Sequence, residues 1–145
     1  MKRKQRSKAK IRLAGDPILS TLCEPVEDNE NIDHITRDMC CILSQSKTGV
    51  GLSANQAGYA KRVIVVNYPN FQILTNPIIT NVSESVETRT EGCLSYPGIF
   101  KKIKRSMSIK LECDEWLGER IYHDLPARIV QHEVDHLNGI CKVGK

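Results

Sequence analysis

The stretch Gln131-His132-Glu133-Val134-Asp135-His136-Leu137-Asn138-Gly139 constrains this chain more than any other. Two of the four histidines lie in it, four positions apart. On an α-helix that separation puts both imidazoles on one face, one turn apart, where they can share a metal ion. Glu133 lies beside the first histidine, close enough to reach a water on that metal. H-E-x-x-H on a helix is therefore a metal site with its own general base. The plainer alternative is a solvated amphipathic helix whose histidines have no common task. At ordinary residue frequencies, chance would place the pattern in under about one in a hundred chains of this length.

The flanking residues predict the helix. Asp124 is the expected N-cap, Pro126 suits the first turn, and Gly139 the C-terminal stop. Ile129, His132, Glu133 and His136 form one stripe at spacings of three and four. Ala127, Val130, Val134 and Leu137 form a second, apolar stripe that can pack on a core. Because the two stripes adjoin, the helix can hold its ligands rigidly.

At 145 residues the chain is expected to form one catalytic domain over 11–145, preceded by a basic tail over 1–10. Its hydrophobic and charged fractions, 40% and 26%, are those of an ordinary soluble protein. No apolar run is long enough to span a membrane, and no secretory leader is recognisable. Six cysteines (Cys23, Cys40, Cys41, Cys93, Cys113, Cys141) show no C-x-x-C, which points to a reducing compartment and to buried or free thiols. The formal charge of +4 is concentrated in Lys2, Arg3, Lys4, Arg6, Lys8 and Lys10. A solvated end is the plain reading of that run, and a ribosome contact through RNA phosphates is the functional one.

Along the chain, Gly15-Asp16-Pro17 marks a turn, and Asp28 or Asn29 is placed to cap a helix reaching to about Lys47. Ile32, Ile35, Met39, Ile42 and Leu43 would form its apolar face, with His34 pointing away. Val63-Ile64-Val65-Val66 reads as a buried strand, and Gln72 to Ile79 as a strand broken at Asn76-Pro77. Met107, Ile109, Leu111 and Cys113 alternate with polar residues, and a turn at Trp116-Leu117-Gly118 makes a hairpin with Arg120-Ile121-Tyr122. Strands followed by one terminal helix predict an α+β fold: mixed or antiparallel strands packed around the helix that carries H-E-x-x-H.

Two histidines leave a catalytic metal one protein ligand short. No acidic residue follows Asp135, so a downstream carboxylate is ruled out, and His123 would need a folded-back geometry. Cys93, within Glu91-Gly92-Cys93-Leu94-Ser95, is the best remaining candidate. Its neighbouring glycine permits close backbone approach, and a thiolate suits a borderline divalent metal. Gly49-Val50-Gly51-Leu52-Ser53-Ala54-Asn55-Gln56 is rich in small residues, which suggests that another backbone passes close by. A plain loop leading into the Val63 strand is its simpler reading, and no phosphate-loop signature accompanies it.

Taken together and in this order, residues 49–56, 91–95 and 131–139 resemble the three signature motifs of the peptide deformylases, G-φ-G-φ-[AS]-A-x-Q, E-G-C-L-S and Q-H-E-x-D-H. The resemblance runs from about Asp16 to Gly139. It implies that Cys93, His132 and His136 hold one divalent metal, Fe(II) in the cell, with Zn, Ni or Co as substitutes, and water as fourth ligand. It also implies a hydrolase that removes the formyl group of N-formylmethionyl peptides and releases formate. Glu133 would move the proton, and the Gln56 amide and the Leu94 N–H would stabilise the oxyanion. Gly49, Val50 and Gly51 would take the peptide as an added strand, and Ile129, Val130 and Tyr96 would line the methionine pocket. Asp135 is expected to anchor the helix.

Arg128 stands where the resemblance leads one to expect an apolar residue, which leaves its orientation open. The sequence beyond the helix is short, as in forms carried by bacteriophages. A cytoplasmic, monomeric enzyme of a bacterium or its phage is the expectation, with the basic tail as its ribosome contact. A zincin-type peptidase shares H-E-x-x-H but would want a third ligand beyond the helix. A non-catalytic structural metal site would need a fourth protein ligand such as Cys113 or His123. A redox thiol protein is disfavoured because no resolving cysteine is expected near Cys93.

Overall fold

The computed structural model describes residues 9–144, so residues 1–8 of the basic tail lie outside it. The elements in chain order are α1 (Asp33–Ser44), β1 (Gly51–Ser53), β2 (Val63–Asn67), β3 (Phe71–Thr75), β4 (Ile78–Val82), β5 (Val86–Cys93), β6 (Tyr96–Ser106), β7 (Ser108–Glu112), β8 (Arg120–His123) and α2 (Asp124–Leu137). Short 3-10 turns occupy Pro17–Ser20 and Ala54–Ala57. Strands β1-β2-β3 form one antiparallel sheet, β4-β7-β8 a second, and β5-β6 a long hairpin. This is the expected α+β arrangement of antiparallel strands around the H-E-x-x-H helix.

Strand β2 shows why the run Val63 to Val66 is continuously apolar. Ile64 and Val66 face a core shared with Leu74, Ile109, Leu111 and the α2 residues Ala127, Val130, Val134 and Leu137. Val63 and Val65 face the other way, onto Ile35, Met39, Ile42 and Leu43 of α1 and onto Leu52. A strand covered on both faces needs apolar side chains at odd and even positions alike. Burying Ile, Leu or Val fully contributes roughly 1.5–3 kcal/mol each, so this double core fixes α2 firmly in place.

Several boundaries differ from the sequence expectation. Helix α1 starts at Asp33, not after Asp28 or Asn29, and ends at Ser44 rather than near Lys47. Asn29 takes a left-handed conformation (φ 64°) inside a turn, and the Asn31 side chain accepts the Asp33 N–H at 2.9 Å. The N-cap is Ile32, which makes no side-chain capping bond. At α2 the capping position is His123, and Asp124 begins the helix with φ 54°. The break at Asn76-Pro77 is real, with Asn76 at φ 51° between β3 and β4.

The β5-β6 hairpin has no counterpart in the sequence reading. Its strands are mostly exposed and strongly polar, so they lack the apolar alternation that betrays a half-buried strand. Gly49 to Gln56, for which a plain loop was the simpler reading, is strand β1 followed by a 3-10 turn, and residues 52–57 are buried. No helix among the described residues is long and apolar enough to cross a membrane.

Candidate metal centre and peptide cleft

Helix α2 presents His132 and His136 one turn apart, and the end of β5 brings Cys93 against them. Cys93 Sγ lies 3.3 Å from His136 Nε2, which lies 3.2 Å from His132 Nε2. A tetrahedral ion, bonded at about 2.0–2.1 Å to nitrogen and about 2.3 Å to sulfur, sets such donors roughly 3.3–3.6 Å apart. The three atoms thus converge at the spacing a metal requires. Among the described residues, this is the one cluster of three or more such donors with that mutual proximity. Cys113 lies in the main core, and His123 is exposed with its Nδ1 2.7 Å from the Ser108 hydroxyl. Neither is placed to join these donors as a fourth protein ligand.

Buried charge aligns the His132 imidazole. His132 donates its Nδ1–H to Glu91 Oε1 at 2.9 Å, which leaves Nε2 with a free lone pair able to bind a metal. Glu91 is gripped in turn by Arg105, through Nε (2.7 Å) and Nη2 (3.0 Å), and by Arg128 Nη1 at 2.5 Å. Burial alone would raise the Glu91 carboxyl, but hydrogen bonds from His132 and Arg105 outweigh it and hold the group at about 2. Arg105 also binds Asp135 at 2.9 Å, so Asp135 does anchor the helix. Arg128 donates to the Ile103 and Glu87 carbonyls at 3.0 and 2.6 Å. It therefore ties α2 to both strands of the hairpin that carries Cys93, which settles its orientation.

The C-terminal end of α2 is held just as specifically. Asn55 Nδ2 donates to the His136 carbonyl at 2.6 Å, and Arg62 donates to the carbonyls of Leu137 (3.1 Å) and Cys23 (3.3 Å). A guanidinium at the last turn satisfies free carbonyls and complements the helix dipole. Gly139 follows at φ 75°, where a Cβ would sit 2.7 Å from the Ser20 carbonyl oxygen.

Glu133 is 5% exposed, and its Oε1 is buried without a hydrogen-bond partner. Burial pushes its carboxyl above the usual carboxylate range, against the pull of the two histidines. A carboxylate kept dry, uncommitted and raised in this way is suited to exchange a proton with a water beside it. Gln56 is equally buried. Its Oε1 accepts the Ser53 N–H at 3.0 Å, leaving Nε2 directed at the Ser95 hydroxyl (3.0 Å) and at Cys93 Sγ (3.5 Å).

A cavity of about 550 Å³ opens beside these groups. Gly49, Val50, Gly51, Gln56, Cys93, Leu94, Tyr96, Ile129, His132 and Glu133 all line it, as the sequence reading requires. Val130 does not. It points from the opposite side of α2 into the main core, because it belongs to the apolar stripe and not to the ligand stripe. Leu125 and Phe100 line the cavity instead, and sequence reasoning missed both.

Sequence reasoning also missed the roles of Glu91, Arg105 and Cys141. The signal for Glu91 lay in its place two residues before Cys93 on a strand, where both side chains reach one face. The expectation that Cys93 has no cysteine neighbour is overturned, since Cys141 packs against it in a small cluster with Ile103 and Val143.

The sequence model of the polypeptide deformylase family matches residues 8–145. The peptide deformylase of Prochlorococcus marinus (strain NATL1A) is 38% identical over 147 residues, spanning 94% of this chain and 72% of that protein. The Met-Ala-Ser-bound crystal structure of the class I type b peptide deformylase from Acinetobacter baumannii superposes with a TM-score of 0.83. It is 31% identical and covers 96% of this chain and 98% of its own. A probable peptide deformylase from Synechococcus phage S-SSM7 gives a TM-score of 0.84 at 37% identity, over 94% of this chain and 98% of its own.

Proposed function

The chain belongs to the polypeptide deformylase family and is a hydrolase that deformylates nascent peptides, and on that premise we propose that Cys93, His132 and His136 hold its metal while Glu133 carries the proton. The observation that bears most weight is the convergence of Cys93 Sγ and two imidazole Nε2 atoms beside an unpaired, buried carboxylate oxygen. Fe(II) is the ion we assign in the cell, with Zn, Ni or Co able to occupy the same donors. When bound, the metal polarises water and the formyl oxygen as a Lewis acid.

The remaining work falls to this chain's own groups. Glu133 Oε1 accepts a proton from the attacking water and returns it to the departing amine. The Nε2–H of Gln56 and the N–H of Leu94 donate to the oxygen on which charge develops. Strand β1 is an edge strand that begins at Gly51, and Gly49 and Val50 lead into it along the cleft, so this segment is placed to pair with an extended peptide through main-chain groups. Such pairing ignores sequence, which suits an enzyme acting on many different chains. Ile129, Leu125 and Tyr96 then form the apolar surface for the methionine side chain.

For the partners we propose N-formylmethionyl peptides, met by a monomer in the cytoplasm. The basic residues of 1–8 would contact ribosomal RNA, and deleting them should weaken ribosome co-sedimentation in a salt-dependent way. The central test is formate release from formyl-Met-Ala-Ser by protein loaded with Fe(II) without oxygen, beside Glu133→Ala. Release by the parent, and loss of about 10²-fold or more in a variant that keeps its metal, is the expected pair of results. Full activity in Glu133→Ala would refute the proton-transfer role.

A further inference from the structure

All six cysteines are free thiols, and two of them, Cys93 and Cys141, meet at one small cluster. Cys93 packs against a small buried cluster formed by Cys141, Ile103 and Val143, with Tyr96 beside it. The His136 ring, 3.3 Å from Cys93 Sγ through its Nε2, keeps its Nδ1 buried without a hydrogen-bond partner. Cys23 and Cys113, by contrast, are buried within the main apolar core. Cys141 is not one of the donors that converge on the metal position, so it is no fourth ligand. Its position also differs from that of Cys93 in access. Cys93 lines the cleft, whereas Cys141 is 7% exposed and closed off behind it.

We propose that, once the metal is lost, Cys93 and Cys141 form a reversible disulfide under peroxide, which shields the ligand thiol from irreversible oxidation. The inference rests on Cys93 being a metal ligand, because metal–sulfur bonding is what withholds that thiol from oxidant while the ion is present. Peroxide entering the cleft oxidises the Cys93 thiol to a sulfenic acid, with loss of one water. The Cys141 thiol then attacks that sulfur and expels a second water. Overall two thiols give up two electrons, hydrogen peroxide is reduced to two waters, and one S–S bond forms.

Closing thiol contact to a bond of about 2.05 Å needs a shift on the order of 1–2 Å. Cys141 lies in the irregular segment after α2, where the Gly144 N–H donates to the Cys141 carbonyl in a turn, so the movement need not distort a helix or a strand. The disulfide removes one of three ligands and leaves His132 and His136 without a thiolate. Reduction restores the set. Without Cys141, the sulfenic acid on Cys93 has no adjacent thiol and proceeds to sulfinic and sulfonic acids.

The test uses the full chain, metal-stripped or Zn-loaded, exposed to hydrogen peroxide, denatured with an alkylating agent and read by mass spectrometry. The metal-free protein should lose about 2 Da and yield tryptic peptides 90–101 and 129–142 joined by a dithiothreitol-sensitive bond. Dithiothreitol should restore stoichiometric Zn uptake, and Cys141→Ser should instead gain about 32 or 48 Da on Cys93, with no recovery. Recovery of alkylatable Cys141 beside over-oxidised Cys93 in the parent protein would overturn the proposal, and that outcome needs no variant. A disulfide forming equally fast with Zn bound would uphold the pairing but sink Cys93 as a metal ligand, which separates the two claims.

Discussion

Gly51→Ala should disable the enzyme without unfolding it. Gly51 lies in β1 and has no left-handed φ, so alanine is conformationally acceptable there. The obstacle is space. A Cβ at this position would sit 2.8 Å from Glu133 Oε2 and 2.8 Å from Ile129 Cγ2, where ordinary contact begins at 3.4 Å. Both neighbours must therefore withdraw by about 0.6 Å. Ile129 is backed by the packed helix, so the carboxylate takes much of the movement. Overpacking of this size costs roughly 1–3 kcal/mol of stability. Displacing a proton-transfer group by a large fraction of an ångström costs on the order of 10–100-fold in kcat/KM. The assay is kcat/KM on a formyl-Met peptide, with metal content and Tm measured on the same sample. Gly118→Ala is the control: its φ of 79° makes alanine strained, but nothing lies within 4 Å of a Cβ there. It should lose stability and keep kcat/KM. If Gly51→Ala retained both its metal and its kcat/KM within about twofold, the reading of β1 as a close gauge on Glu133 would be wrong.

Other outcomes follow from the buried charges. The Glu91 carboxyl is depressed from 4.5 to about 2 in the folded protein, so its stabilisation is complete above about pH 5 and lost as pH falls towards 2. That depression corresponds to roughly 3 kcal/mol, and urea unfolding of metal-free Glu91→Gln should show a flatter acid limb than the parent. Removing the carboxylate behind His132 should also weaken metal binding about 10–100-fold, read by competition with a chromogenic chelator. Arg128→Met strips one of two guanidinium partners from buried Glu91 and should cost about 3 kcal/mol in chemical denaturation. Arg128→Lys should recover little of it, because one ammonium cannot reach a carboxylate and two carbonyls on separate strands in the same fork geometry. Dialysis against a strong chelator should abolish formate release, and an added divalent ion should restore it; activity that survives verified metal removal would contradict the metal assignment.

Much of the candidate donor set was legible because its residues obey local rules. His132, Glu133 and His136 are spaced by helix geometry, and the apolar stripe Ala127, Val130, Val134 and Leu137 reads directly as a packing face. Val130 lies on that core stripe and so cannot also face the cleft, contrary to the sequence expectation. The β5-β6 hairpin was not legible. Its pairing is long and regular, from Val86↔Ser106 to Gly92↔Phe100, but solvent covers most of it, so no apolar period records it. Cys141 escaped for another reason. Nothing in a sequence says that a residue five past His136 will turn back against one 48 positions upstream.

Arg128 shows how the hidden parts depend on one another. An arginine in a stretch of helix that is otherwise buried looks like an error if the helix is considered alone. In the folded protein it belongs to a set of two guanidinium groups, Arg105 and Arg128, and two carboxylates, Glu91 and Asp135. Formal charges cancel within that set, and each guanidinium binds more than one partner. Leaving any member unpaired would cost several kcal/mol, whereas the complete set is tolerated in a buried place. The balance also bears on chemistry. Because both arginines are spent on carboxylates, Glu91 can accept the His132 Nδ1–H while remaining ionised, and His132 keeps its other nitrogen for the metal. An apolar residue at 128 would fill the space equally well, but it would leave Glu91 held by Arg105 alone and cut the direct tie from α2 to the Glu87 and Ile103 carbonyls. Cys93 is borne by the hairpin and the histidines by the helix, so that tie fixes the distance between thiol and imidazoles. The spacing of the three candidate donors is thus set as much by Arg128, some way from them, as by the donors themselves.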